Sequence, residues 1–107
     1  MSQNRAAVHA ERAAYWYEEM RKAGVAPDDV TFNTLISKAG SEERAAYWYE
    51  EMRKAGVAPN DVTFNTLISK AGSEERAAYW YEEMRKAGVA PDDVTGKFLT
   101  KRGFSSF

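Results

Sequence analysis

The chain has 107 residues, 44% apolar and 29% charged, with a formal net charge of −1 and no cysteine. That length supports one modest domain, and the balance of residues is that of a soluble helical or globular protein and not of a disordered tail. The charge excludes a strongly basic phosphate-gripping surface, and the lack of cysteine excludes disulfides, thiolate metal sites and a cysteine nucleophile.

The first residues, MSQNRAAVHAER, carry no secretory h-region, and no stretch approaches the ~18 apolar residues of a membrane span. A soluble protein made in a cytoplasm, with no membrane partner, is the expectation. Ser2 is a candidate N-cap for one helix running to about Ala23, since no glycine interrupts the chain before Glu11. His9, the single histidine, has no second histidine or cysteine with which to share a metal, and reads as a solvated helix position.

From Glu11 the chain repeats itself. Residues 11–42 and 43–74 agree at every position but one, where Asp28 becomes Asn60; a third copy from Glu75 to Thr95 restores the acid as Asp92. A self-similar period of this size marks a solenoid or a related array. Copies this uniform point to a designed or consensus sequence; a recent duplication leaves the same trace.

Each unit divides into two predicted helices. In DVTFNTLISKAG, Phe64, Leu67, Ile68 and Ala71 form an i, i+3, i+4, i+7 core stripe, while Val62, Asn65, Thr66 and Ser69 repeat that spacing on the opposite face. Gly72 and Gly88 each follow Lys-Ala and are expected to end their helices in the left-handed conformation. Ser73 is a candidate N-cap, with Glu74 and Glu75 in the first turn, where the helix dipole favours acids. In the second helix Ala77, Trp80, Tyr81 and Met84 form the core stripe, Glu82 and Lys86 are spaced for an ion pair, and Tyr79 faces away. Pro91 then disfavours helix at Ala90.

Neither helix buries its stripe alone, whereas stacked hairpins seal a continuous core. The fold class is therefore all-α, an α-solenoid of stacked helix-turn-helix repeats in a single domain. Its parts are an N-terminal half-repeat over 1–28, repeats over 29–60 and 61–92, and a degenerate C-terminal half-repeat over 93–107.

The run GVAPNDVTFNTLISKAGSEERAAYWYEEMRKAG carries further information. Pro59, Val62, Thr63, Phe64, Asn65, Thr66, Leu67 and Ile68 enter the first helix, and Lys70-Ala71-Gly72 breaks it. Ala77, Tyr81, Glu82, Glu83 and Met84 build the second helix, closed by Gly88, Pro91 and Asp92. As a linked set this resembles the pentatricopeptide repeat family; the Trp, Leu-Gly and Tyr pattern of tetratricopeptide repeats is absent. The units here run about three residues shorter than the family's, which trims the first helix by nearly a turn.

The resemblance implies a right-handed superhelix fragment that binds single-stranded RNA, one base per repeat, read by two or three side chains. Carried over by position, Asn33 and Asn65 match the base-reading residue of the first helix. Asn60 and Asp92 match the second base-reading residue, and Val30 and Val62 match the side chain that packs on the base. The Asn33/Asn60 pair then leans to cytosine and the Asn65/Asp92 pair to uracil. The helical wheel independently sets Val62 and Asn65 on the ridge away from the core, so the asparagine edge is expected to stay open. Neutral drift at an exposed loop position is the competing account of the single Asp-to-Asn change.

The C-terminal DVTGKFLTKRGFSSF leaves the repeat after Thr95, with Lys97 where a base-reading asparagine would stand and with Gly96 and Gly103 weakening helix. Two complete units are few for independent stability, so a homo-oligomer through end stacking or swapping is expected. Adjacent acids such as Glu50-Glu51 point in different directions, and TGKF lacks the rest of a phosphate loop. Trp48 and Tyr49 lie on the core stripe, which leaves Tyr47 alone of that cluster for a partner. No enzyme chemistry, metal site, cofactor or small-molecule substrate is indicated. The expectation is a short repeat module that binds single-stranded RNA weakly, since a net acid offers phosphates little. The alternative is a structural, self-assembling or protein-interaction scaffold without nucleic-acid activity.

Overall fold

A computed structural model describes the backbone of residues 5–101 and the side chains of residues 12–100. Among the described residues six helices follow in order: α1 (Arg5–Lys22), α2 (Asp29–Lys38), α3 (Glu42–Lys54), α4 (Asp61–Lys70), α5 (Glu74–Lys86) and α6 (Asp93–Lys101). None of the described helices is long and apolar enough to cross a membrane. α1 is one unbroken helix, as its missing glycine predicts; its proposed cap Ser2 and the His9 side chain lie outside the described residues.

The chain forms two compact units, Met1–Ala58 and Pro59–Phe107. In the first, α2 packs on both α1 and α3; in the second, α4 packs on both α5 and α6. The periodicity accounts for both cores. Phe64, Leu67, Ile68 and Ala71 of α4 are buried against Ala77, Trp80 and Met84 of α5, and Leu99 of α6 closes the second core. Phe32, Leu35, Ile36 and Ala39 play the same part in the first unit, opposite Ala45, Trp48, Tyr49 and Met52. There Tyr17 of α1 completes the packing, its ring 5.6 Å from Phe32 and 5.1 Å from Trp48, edge-on to the indole. Tyr81, expected in the core, is only half-buried.

Two kinds of connection join the helices. After α5 the chain makes a Schellman turn, with Val89 N donating to Met84 O and Gly88 N to Arg85 O, both at 3.0 Å. Gly88 sits at φ 77° there, as do Gly24 and Gly56 in the equivalent turns. Gly72 behaves differently from its expectation. α4 ends at Ala71 in an extended conformation (φ −61°, ψ 134°), and Gly72 is not left-handed. The connection is so short that Ser73 is already extended as the N-cap of α5, its side chain accepting from Arg76 N at 3.1 Å. An extended Ala71 is what lets the chain reverse in so few residues and brings α5 back antiparallel to α4. The expected Glu82–Lys86 pair is replaced by i, i+3 pairs, Arg85 with Glu82 at 3.3 Å and Lys86 with Glu83 at 3.5 Å.

Candidate functional site

Three positions carry the single difference between copies, and each begins a helix. Asp28 caps α2 and Asn60 caps α4, each accepting from the backbone N–H of a threonine three residues on. The threonine hydroxyl accepts in return from the cap residue's own N–H, which completes a capping box at both places. Asp92 does the same for α6: its Oδ1 accepts from Thr95 N at 2.9 Å, and Asp92 N donates to Thr95 Oγ1 at 3.1 Å. Asp and Asn are nearly equal as N-caps, so the fold tolerates either. The spacing Asp/Asn-x-x-Thr was the available signal for this role, and it is less familiar than a box closed by Glu or Gln.

Asn65 departs from the open edge expected of it. It is 8% exposed, because its amide is held by the start of α6. Its Nδ2 donates to Asp92 Oδ1 at 3.1 Å, and its Oδ1 accepts from the Thr95 hydroxyl. A carboxylate only accepts, so this contact fixes which end of the amide faces Asp92. Thr95 is fully buried beneath the pair. The Asp92 carboxyl is held below its ordinary range, first by the Thr95 backbone N–H, then by the Asn65 amide and the Thr95 hydroxyl. Asp28 is likewise lowered by the Thr31 N–H and hydroxyl.

Around this pair lies a cleft of about 320 Å³ between α4 and α6, lined by Val62, Asn65 and Asp92 together with Asp61, Val94 and Phe98. Three of the expected site residues therefore meet in one place. Val62 and Val94 remain about half exposed, at 51% and 47%, and line the cleft from the two helices. Val94 and Thr95 were not singled out from sequence, although the third Asp-Val-Thr at 93–95 marks them as counterparts of Val62 and Thr63. In the first unit Asn33 is half-buried on α2, and the exposed Val30 lines a groove between α1 and α2.

Compared with known families, the chain matches the pentatricopeptide repeat domain over residues 6–42 and 17–74, and the PPR repeat over residues 62–89. No curated protein sequence matches it.

Proposed function

Because the chain belongs to the pentatricopeptide repeat family, whose members are in general RNA-binding, non-enzymatic helical-repeat modules, we propose that its second unit binds single-stranded RNA and seats one base in the cleft between α4 and α6. The observation that carries this reading is that Val62, Asn65 and Asp92 line one cleft with a second exposed valine, Val94. Two valines from adjacent helices offer an apolar slot for a flat ring, with the polar pair alongside.

The polar chemistry favours uracil. Asp92 Oδ1 is taken by Thr95 N and the Asn65 amide, and its second oxygen can accept only. Uracil presents a ring N–H to such a group, whereas cytosine presents a ring nitrogen lone pair, which a carboxylate repels. An asparagine in the same place donates as well as accepts and can meet cytosine. On this reading Asn60, which follows Asn33 in the copied register, differs from Asp92 in base preference while serving equally well as a cap.

Titration of short oligouridine into the chain at low salt, followed by fluorescence anisotropy, is expected to saturate weakly. Val62→Ala should weaken binding about fivefold by removing apolar contact with the base, with the unfolding midpoint unchanged. A flat titration assigns the chain to the other reading, a structural or protein-interaction scaffold.

A further inference from the structure

We propose that the groove between α1 and α2 is a docking site for one further helix of the α4 pattern, Asp-Val-Thr-Phe-Asn-Thr-Leu-Ile-Ser-Lys, offered by another polypeptide. The second unit contains the template. α5 repeats the α1 sequence from Arg76 to Lys86, α6 begins with the same Asp-Asp-Val-Thr as α2, and α4 packs on both of them. In the first unit α1 and α2, which unlike α5 and α6 also pack directly on each other, border a groove of about 520 Å³ whose apolar floor is Ala13, Trp16, Tyr17, Met20 and Leu35. The clearest sign is the tryptophan. Trp80 is 1% exposed beside α4, while its counterpart Trp16 is 62% exposed.

The polar groups of the groove match the same occupant. In the second unit Asn65 of α4 donates to Asp92 and accepts from Thr95. Asp28 and Thr31 hold the equivalent places, and the Thr31 hydroxyl lies 3.1 Å from Asp28 Oδ1 and 4.0 Å from Met20 Sδ. An incoming asparagine has the same acceptor and donor waiting for it. Charge agrees as well. The charged residues lining the groove are Arg12 and Lys38, and both lie toward the end where the C-terminus of a helix set like α4 would fall, so they complement its dipole.

An intact second copy has no such helix to spare. Its α2 and α4 are buried in their own hairpins, and α6 carries Gly96 and Thr100 where α4 inserts Phe64 and Ile68. A separate helix is the occupant that fits. Docking would also set a valine and an asparagine beside Val30 and Asp28, the arrangement around the second unit's cleft, yet the docking itself needs no RNA.

The test is a synthetic peptide of residues 59–72 titrated into the full chain up to millimolar concentration, read by calorimetry and by tryptophan emission. Saturable one-to-one binding with a blue shift is expected. The same peptide carrying Phe64→Ala should bind at least about tenfold more weakly, and one carrying Asn65→Ala about fivefold more weakly. Trp16→Ala in the chain should remove most of the heat without altering its unfolding midpoint. Absence of binding, or equal binding by both substituted peptides, overturns the proposal. So does displacement of the peptide by oligouridine, or sedimentation in which the chain alone self-associates with Trp16 already shielded.

Discussion

Positions 28, 60 and 92 each cap a helix, and under the proposed RNA-binding reading positions 60 and 92 would also present a polar group to the base. Capping is indifferent to Asp or Asn, which is why a substitution there leaves the fold intact. Asp92→Asn is therefore expected to change the urea midpoint little at neutral pH while shifting base preference from uracil toward cytosine. Acid should separate the two residues. Asp28 and Asp92 titrate below the ordinary 3.8 in the folded chain, so their ionised forms favour folding. That contribution is complete above the unfolded value and disappears as pH falls through the folded one. Urea midpoints measured from neutral into acid should decline for the unsubstituted chain, and decline less when both positions carry Asn. Asn65 behaves otherwise, because its amide is buried and bonded to Asp92 and Thr95. Asn65→Ala should cost about 1–2 kcal/mol of stability, so Val62→Ala, at an exposed position, is the cleaner probe of binding.

The two glycine types within one repeat give a test at the level of the helix and its connection. Gly88 sits at φ 77° in a Schellman turn, where a side chain is strained, so Gly88→Ala should lower stability by about 1 kcal/mol. Gly72 is not left-handed and a Cβ there meets nothing within 4 Å, so Gly72→Ala should be neutral or slightly stabilising by chemical denaturation. Sequence treated these glycines alike because each follows Lys-Ala. What separates them is the length of the connection that follows, which only the extended Ala71 reveals. The helices themselves were readable, since stripes such as Phe64, Leu67 and Ile68 are set by local periodicity. The burial of Asn65 was not, because the groups that cover it lie 27 and 30 residues further on. A wheel drawn on one helix places Asn65 opposite the hairpin core, and so it is; α6 supplies a second contact on that side. The same blindness explains Trp16. Its local pattern is that of Trp48 and Trp80, yet it is exposed; α1 runs on as one helix before Trp16, whereas the separate helices α2 and α4 precede the other two.

For the whole molecule, charge decides how RNA binding should respond to salt. Fifteen cations face sixteen acids, and many cations are already matched along their own helices. Arg21 lies by Glu18, Lys22 by Glu19, Arg53 by Glu50, and Lys54 by Glu51, with the pattern repeated in α5. Exposed pairs of this kind add little stability, but they leave less positive charge to release counterions from a phosphate backbone. The charged residues lining the cleft are Asp61 and Asp92, which repel phosphate and leave base contacts to supply the affinity. Binding through that cleft should then depend weakly on salt, with a log–log slope shallower than about −1.5, the value for roughly two neutralised phosphates on a single strand. Oligouridine titrations over a series of potassium chloride concentrations measure it. A slope several times steeper would move the RNA away from α4 and α6 to a more basic face of the chain, and Val62→Ala would then leave the affinity untouched.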